Sequence, residues 1–282
     1  PVTTHLVTVG SIALAVGDST QVRATASLPD GTTQLVTNAG TWASTTPAVA
    51  TASSLGVVTA VSAGTTDVTL TFSGITVTIP VTVTAIGERT LEWAGGVADS
   101  VVLHTLFTDE TLARSVAAVR RGAERAGRDP ASVRIWSVLA TVGDHLDEEL
   151  RLKKLVGRLA TYLQGYGDLM VSVNGWDPEV LARFRADEFV AGFGAAFDAK
   201  GTTEDLERVA ELLPDEWLAA AATGTAAECA TRVAGQFDLG ADGVILHGAT
   251  PAELAPVVAA YRERRPGGRF DGLPANPGAS RT

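Results

Sequence analysis

The amino-acid composition changes abruptly near residue 85, so one kind of fold cannot account for the whole chain. Residues 1–85 contain 21 threonines and four charged residues, whereas residues 86–282 contain 13 threonines and nearly all of the charge. Segments rich in threonine and valine favour strands, because branched side chains pack well on a pleated surface. The sequence therefore predicts an all-β part followed by a part of different architecture.

The first part alternates short β-prone segments with turns. The segments cover residues 20–26, 57–61, 68–72 and 75–83, and Gly, Pro, Asn and Ser residues separate them. Short strands at this spacing, with a turn signal between each pair, are typical of a small β-sandwich. We therefore predict an all-β sandwich over residues 1–85.

Two adjacent stretches of the first part carry a resemblance. WASTTPAVAT at 42–51, followed by GVVTAVSAGT at 56–65, resembles the bacterial Ig-like domain, group two, over about 80 residues. The resemblance implies a core in which Trp42 faces Val49, Val57 and Val61, with Gly56 and Gly64 at tight turns. Such a module is either an inert spacer or a carbohydrate-binding or adhesive surface, and the absence of clustered aromatics or carboxylates favours the spacer.

The second part has helical periodicity and well-marked helix starts. Thr225 with Glu228 and Thr250 with Glu253 form capping-box pairs, and Asp177 precedes a proline at a first helical position. Apolar residues recur at spacings of three and four. The predicted helices cover residues 110–126, 145–163, 179–186, 204–212, 226–239 and 252–264.

A strand motif occurs twice in the second part. ADSVVLH at 98–104 matches ADGVILH at 241–247, and a third apolar strand covers 134–141. Apolar strands that alternate with helices predict a parallel sheet, and a repeated βα unit indicates a barrel whose active edge lies at the carboxyl ends of its strands. His104, Thr105, Thr141 and His247 are expected at that edge. The aspartates 99 and 242 lie at the opposite end, where turn capping is the expected role.

Several segments of the second part together resemble luciferase-like monooxygenases of the deazaflavin-dependent class. They are IGERTLEWAGGVAD at 86–99, LHT at 103–105, GRDPASVR at 127–134, YLQGYG at 162–167, GT at 224–225 and GADG at 240–243. The resemblance spans about 180 residues. It implies an oxidoreductase that transfers a hydride between coenzyme F-420, or alternatively FMN, and a small organic substrate.

The second part is shorter than a complete barrel. A (β/α)₈ barrel takes about 250 residues and eight strands, whereas residues 86–282 show three clear strands. We predict an α/β partial (half) TIM-type barrel over 86–265 and a disordered Gly/Pro-rich tail over 266–282. Residues 79–85 suit both cores, which predicts a gene fusion near residue 80. Open sheet edges predict a homodimer or a partner chain that completes the barrel.

The resemblance also assigns candidate cofactor-binding residues. Ala85, Ile86, Gly87 and Arg89 correspond to a loop where backbone N–H groups and an arginine suit a phosphate. The alternative is a plain strand-to-helix turn, with Gly87 present for its φ freedom and Arg89 solvated. At the strand ends, His104 with Thr105, and separately His247, could act as a general acid or donate a hydrogen bond to a ring carbonyl. The alternative is that these residues only cap the ends of their strands. The catalytic base would come from the missing half, so no residue is assigned to it.

Composition excludes several other classes of function. A formal net charge of −10 argues against nucleic acid, and no apolar run reaches the roughly 20 residues of a membrane helix. Cys229 is single and is expected to be buried, so neither a disulfide nor a metal site is predicted. We expect His145 at the surface and Trp93, Trp136 and Trp217 in the core.

Two further expectations concern location and an alternative function. No basic segment followed by an apolar stretch opens the sequence, which favours the cytoplasm, whereas Ig-like modules of this group usually work outside the cell or on particle surfaces. The alternative function is a structural or adhesion protein that acts through its Ig-like domain and carries a vestigial barrel.

Overall fold

The computed structural model describes residues 5–8, 14, 16–27, 32–62, 66–73, 75–78 and 82–268. The chain divides into two compact units. The first comprises residues 1–138 and 239–245, and the second comprises residues 139–238 and 246–282. In the part of the chain that is described, no helix is both long enough and apolar enough to span a membrane.

The N-terminal strands form three small antiparallel sheets, β1-β3-β4, β2-β7-β6 and β5-β8-β9. The strands are β1 (His5–Thr8), β2 (Ser19–Gln21), β3 (Ala24–Ser27), β4 (Thr33–Leu35), β5 (Thr41–Ser44), β6 (Ala50–Ala52), β7 (Val57–Ala60), β8 (Val68–Phe72) and β9 (Ile75–Thr78).

One apolar cluster holds these strands together. Trp42 lies in it as predicted, and its Nε1 donates a hydrogen bond to the Thr37 carbonyl at 2.8 Å. The expected neighbours are wrong, because Val58 packs inward rather than Val57, and Val61 is 48% exposed. Side chains alternate along a strand, so an error of one residue in phase exchanges the two faces. The cluster contains Val22, Ala24, Ala26, Val36, Trp42, Val58, Val68 and Leu70.

Gly56 occupies a turn that only glycine suits. Its φ is +76°, and an added Cβ would lie 2.8 Å from the Val22 carbonyl oxygen. The prediction of a tight turn is confirmed here, whereas Gly64 lies outside the described residues.

The segment 75–83, predicted as one strand, joins two different sheets. β9 pairs with β8 antiparallel, whereas Thr82–Thr84 forms a separate strand that pairs in parallel with Ser100–Val102. The prediction of a single strand is therefore wrong, and residues 79–81 between the two strands are not described.

The remaining elements alternate strands with helices. In chain order they are β10 (Thr82–Thr84), α1 (Glu88–Val97), β11 (Ser100–Val102), α2 (Asp109–Arg125), a 3-10 turn (Pro130–Ser132), β12 (Arg134–Gly143), α3 (Glu148–Leu152), a π-helical turn (Lys153–Gly157), α4 (Arg158–Asn174), α5 (Pro178–Ala186), α6 (Glu188–Gly192), α7 (Phe197–Lys200), α8 (Thr203–Ala210), α9 (Asp215–Leu218), β13 (Ala222–Gly224), α10 (Ala226–Asp238), β14 (Gly243–His247) and α11 (Pro251–Arg264).

A parallel sheet organises this part, as the sequence predicts. In the first unit β10, β11 and the start of β12 are parallel neighbours, with Val83 opposite Val101 and Val101 opposite Ile135. β14 also pairs with β12. In the second unit the end of β12 pairs in parallel with β13.

Helices α1 and α2 cross at two glycines. A Cβ at Gly95 would lie 1.9 Å from the Val119 carbonyl oxygen, and one at Gly122 would lie 1.8 Å from the Glu92 carbonyl oxygen. The two backbones therefore touch, which fixes the position of α1 on the first unit.

The long helix predicted over 145–163 has a different start and an internal irregularity. Asp147 accepts a hydrogen bond from the Leu150 N–H at 2.8 Å, so α3 begins three residues later than predicted. A π-helical turn then separates α3 from α4, and Gly175 at φ +66° ends α4. The other predicted helices agree within two residues at each end. The predicted caps at Asp177, Thr225 and Thr250 are confirmed.

The predicted tryptophan core is only partly confirmed. Trp217 is fully buried and stacks on Trp176 with 4.6 Å between the ring centroids, whereas Trp136 is half-buried. Trp93 is 49% exposed on α1, so its assignment to the core is wrong. Helical periodicity places a residue on a face but does not show whether anything covers that face.

Candidate functional site

The loop after β10 presents an open helix start. The buried Ala85 donates its N–H to the Val102 carbonyl at 3.3 Å, which ties the loop to β11. Ile86 follows, and Gly87 is the N-cap of α1, where no side chain of the described residues caps the helix. The first N–H groups of α1 therefore lack the side-chain acceptor that a Ser, Thr or Asp cap would provide.

Gly87 does not occupy this place because of its φ freedom. Its φ is −78°, which any residue adopts, so that explanation of Gly87 is wrong. An added Cβ would meet no atom within 4 Å. The side-chain-free position therefore leaves space in front of the helix start.

Arg89 lies in the first turn of α1 and is exposed. It lines a shallow surface depression with Thr90 and Trp93, and it makes no ion pair with the described residues. Glu88 beside it is paired with Arg121 at 2.5 Å. That pairing offsets the carboxylate next to the helix start and leaves Arg89 to set the local charge.

The end of β11 holds a half-buried histidine and a buried threonine. His104 donates its Nδ1–H to the Thr105 carbonyl at 2.8 Å, and burial lowers the pKa of His104 below 6.5. The imidazole is therefore neutral at pH 7, with Nε2 as its acceptor. Thr105 is 2% exposed, and its Oγ1 has no hydrogen-bond partner among the described residues.

The backbone beyond these two residues is strained. Leu106 has φ +59° and is buried. A leucine in the left-handed region of backbone conformation is uncommon, and backbone strain of this kind concentrates at functional sites. Nothing in the sequence around position 106 indicates it.

In the second unit, His247 ends β14 and is half-buried. Gly248 follows with φ +89°, and its carbonyl accepts a hydrogen bond from the Lys154 ammonium at 2.8 Å. Lys154 also pairs with Glu253 at 3.1 Å, and both side chains are largely buried. His145 is exposed as predicted and donates its Nε2–H to the Glu253 carbonyl. These contacts fix the loop after β14 to the π-helical turn.

The second unit also contains a cleft that sequence reasoning missed. It has a volume of about 240 Å³ at the ends of β12 and β13, and apolar side chains form much of its lining. Segments about 70 positions apart contribute to it, so no local pattern could indicate it. The lining residues are Val142, Asp144, Glu148, Arg151, Leu152, Leu155, Val156, Thr223 and Gly224.

Cys229 is buried as predicted, whereas Asp242 binds an arginine and a neighbouring strand rather than capping a turn. Cys229 is fully buried, and burial, followed by the carboxylates of Asp144 and Glu228, raises its pKa to about 11. Asp242 accepts hydrogen bonds from Arg120 at 2.9 Å and from the Ile135 N–H at 2.8 Å. The described residues contain no group of His, Cys, Asp and Glu side chains suited to a metal ion.

The structure thus gathers most of the predicted site residues in the first unit. Ala85, Ile86, Gly87 and Arg89 follow β10, while His104 and Thr105 follow the neighbouring strand β11. Thr141 is buried within β12 rather than beyond its end. His247 belongs to the second unit.

The chain has low-identity similarity to several solved structures. The chain is similar to a coenzyme F-420-dependent tetrahydromethanopterin reductase from Methanopyrus kandleri (TM-score 0.49, 18% identity, 66% of this chain and 50% of that one). It is also similar to an F-420-dependent secondary alcohol dehydrogenase (TM-score 0.40, 16% identity, 69% of this chain and 56% of that one). A third similar structure is a riboflavin lyase with modified FMN and riboflavin (TM-score 0.36, 16% identity, 70% of this chain and 48% of that one). The chain spans about half the length of these structures.

The comparison with protein families gives a firmer result. No curated protein matches the chain significantly. The profile described as "Luciferase-like monooxygenase" matches residues 61–243, which is more than half of the 282 residues. The matched range contains β10 to β13 of the parallel sheet and the helices between them, which have the TIM-barrel-type α/β architecture of that family. The chain belongs to the luciferase-like monooxygenase family.

Proposed function

We propose that this chain is part of an oxidoreductase that transfers a hydride between coenzyme F-420, or alternatively FMN, and a small organic substrate. The observation that carries the proposal is the uncapped start of α1 beside Arg89, at the carboxyl ends of β10 and β11, in a chain of the luciferase-like monooxygenase family. Both cofactors carry a phosphate, and a helix start with unused N–H groups suits one.

The residues present fit the phosphate end of such a cofactor. Gly87 leaves open space at the helix start, and Arg89 supplies a cation that the described residues do not neutralise. The backbone N–H groups of Gly87, Glu88 and Arg89 would hold phosphate oxygens, and the helix dipole favours the same charge. Ala85 and Ile86 would fix the loop against β11.

The residues after β11 fit a polar ring edge. Thr105 has a buried hydroxyl with no acceptor among the described residues, and an unsatisfied buried polar atom is unfavourable. A ring carbonyl or nitrogen at this place would satisfy it. His104, neutral because it is buried, would orient the ring through hydrogen bonds without adding charge. The cofactor, when bound, would supply the hydride chemistry.

The second unit, taken by itself, has a cleft that would suit a small organic molecule. Its cleft at the ends of β12 and β13 has an apolar lining of Val142, Leu155 and Val156. An apolar cleft with a few polar groups at its rim is typical of small-molecule sites. His247 is proposed as a further hydrogen-bond donor or acceptor at the end of β14.

A titration with FMN and riboflavin tests the phosphate site directly, because the two flavins differ by the phosphate. Quenching of flavin fluorescence measures binding, and a parallel titration uses coenzyme F-420. We expect FMN to bind at least about tenfold more tightly than riboflavin, since a bidentate charged contact contributes roughly 1.5–3 kcal/mol.

Substitution of Arg89 locates the site. Arg89→Ala should weaken FMN binding about tenfold and leave riboflavin binding unchanged. Arg183→Ala is the matched control, because Arg183 is also exposed and belongs to α5. Equal affinities for FMN and riboflavin, or equal effects of the two substitutions, would contradict the assignment.

The N-terminal part is proposed to be an Ig-like module that acts as a spacer. The apolar cluster around Trp42 supports a folded module. The domain limits 1–85, 86–265 and 266–282 stay predictions, and the pairing of β10 with β11 favours a first boundary before Thr82. A fusion near residue 80 and a cytoplasmic location also stay predictions. No comparison supports the alternative of an adhesion protein.

A further inference from the structure

The cleft of the second unit combines a buried apolar part with a polar rim. Val142 and Val156 are buried and Leu155 is half-buried, and all three line the cleft. A ligand of matching chemistry buries an apolar body there and presents a polar group to the rim. The rim consists of the exposed lining residues Asp144, Glu148, Arg151 and Thr223.

The charge around the rim is negative. Arg151 is the one cation among the described residues that line the cleft, and Glu148 precedes it by three positions on α3, where the two charges offset each other. The carboxylate of Asp144 makes no hydrogen bond or ion pair with the described residues. Glu228 adds a further carboxylate, since its Oε2 would lie 2.5 Å from a Cβ at Gly224. Two negative charges therefore stay without a matching cation.

Asp144 is held at the place where β12 and β13 end. Its N–H donates a hydrogen bond to the Gly224 carbonyl at 2.8 Å. Burial, and after it the carboxylate of Asp144, raises the pKa of Cys229 to about 11, so this carboxylate lies near α10. Thr223 lies beside Gly224 on β13, and its hydroxyl is exposed. Carboxylate and hydroxyl are acceptors that suit a ligand with N–H donors.

The two helix starts next to the cleft are closed to an anion. At the start of α3, Asp147 accepts the Leu150 N–H at 2.8 Å. At the start of α10, Thr225 accepts the Glu228 N–H at 3.2 Å, and Glu228 accepts the Thr225 N–H at 2.8 Å. A carboxylate therefore already occupies each start, in contrast to the uncapped start of α1 in the first unit. An anionic ligand would meet like charges here.

We propose that this cleft binds a small aliphatic amine. The ammonium group contacts the Asp144 carboxylate and the Thr223 hydroxyl. The hydrocarbon chain packs on Val142, Leu155 and Val156. A volume of about 240 Å³ holds about eight non-hydrogen atoms at roughly 30 Å³ each, so the chain has about six or seven carbon atoms. As the substrate class of the proposed oxidoreductase the amine rests on that proposal, whereas binding of the amine does not.

Ligand-observed NMR titrations of the full chain without any cofactor test the preference for a cation. Hexylamine, hexanol and hexanoate have similar apolar chains, and at pH 7 their head groups are positive, neutral and negative. We expect hexylamine to bind at least about tenfold more tightly than hexanol, because a charge-assisted hydrogen bond is stronger than a neutral one. Hexanoate should bind more weakly than hexanol. Binding of hexanoate as tight as that of hexylamine, or no binding of hexylamine, overturns the inference.

Chain length distinguishes the cleft from a general attraction between charges. Ethylamine has the same head group as hexylamine and lacks four methylene groups. It should bind about 100-fold more weakly or less, because each buried methylene strengthens binding about fourfold. Equal binding of the two amines would show that the chain is not buried and would contradict the assignment to the cleft.

Substitution of Asp144 locates the ammonium group. Asp144→Asn should weaken hexylamine binding about tenfold, to the level of hexanol, and leave hexanol binding unchanged. Asp215→Asn is the matched control, because Asp215 is also exposed and lies on α9 outside the cleft. Equal effects of the two substitutions on hexylamine would refute the role of Asp144. The FMN titration concerns the first unit, so either proposal can fail while the other holds.

Discussion

The contact between α1 and α2 leads to a prediction whose sign depends on tertiary structure. Gly122→Ala places a Cβ 1.8 Å from the Glu92 carbonyl oxygen, whereas ordinary contact begins at 3.4 Å. The helices must therefore separate by roughly 1.5 Å, because the obstacle is backbone and no rotamer change relieves it. Such overpacking destabilises by about 3 kcal/mol, at the upper end of measured values.

Helix propensity acts in the opposite direction. Alanine is favoured over glycine by about 1 kcal/mol inside a helix. The net effect of Gly122→Ala is then a loss of about 2 kcal/mol in the free energy of unfolding. Gly235→Ala on α10 isolates the propensity, because its Cβ would meet nothing within 4 Å. That variant should be more stable by about 0.5–1 kcal/mol.

Urea denaturation followed by tryptophan fluorescence measures both changes. Trp93 on α1 reports directly on the helix that moves. Because Arg89 lies on α1 and Gly87 caps its start, Gly122→Ala should in addition weaken FMN binding more than riboflavin binding. A Gly122→Ala protein as stable as the Gly235→Ala protein would refute the proposed backbone contact.

Three further predictions concern buried and hydrogen-bonded side chains. The pKa of about 11 at Cys229 keeps its thiol protonated, so iodoacetamide at pH 8 should label it only when urea unfolds the chain; rapid labelling of the native protein would contradict this. Asp242→Ala should cost about 1–2 kcal/mol because it removes the acceptor of the Arg120 Nη2 and of the Ile135 N–H, whereas Asp168→Ala, which breaks an exposed ion pair with Arg185, should cost less than about 0.5 kcal/mol in the same urea assay. Because burial lowers the pKa of His104, the unfolded chain binds more protons just below pH 6.5, so stability should fall as the pH drops through that range. His104→Gln should flatten that part of the curve of urea midpoint against pH, and an unchanged slope would show that other groups cause it.

Local sequence signals predicted the elements whose physics is local. Thr225 with Glu228 and Thr250 with Glu253 predicted helix starts correctly, because a cap depends on residues three positions apart. The repeated strand motif likewise placed β11 and β14. The start of α3 was missed, since Asp147 caps it from a position that periodicity alone included in the helix.

Parts of the candidate site could also be predicted from sequence. The family resemblance placed Gly87 and Arg89 at a strand-to-helix junction, and the structure has such a junction there. The alternative of a plain turn gave the wrong reason for Gly87, whose φ is ordinary. The Thr105 hydroxyl has no hydrogen-bond partner among the described residues, and the backbone of Leu106 has a positive φ. Both features depend on the packing around these residues, which no local sequence pattern indicates.

Sequence by itself determined that this chain has two parts, a threonine-rich β part and an α/β part, because composition and periodicity reflect the kind of surface each segment must pack. The luciferase-like family was indicated by the resemblance of several motifs and not by composition. Tertiary structure decided which side chains are buried and which strands pair. It placed Val58 rather than Val57 in the core, joined Thr82–Thr84 to the parallel sheet and left Trp93 exposed. Each outcome depends on which distant segment lies opposite a residue, and spacing along the chain carries no information about that.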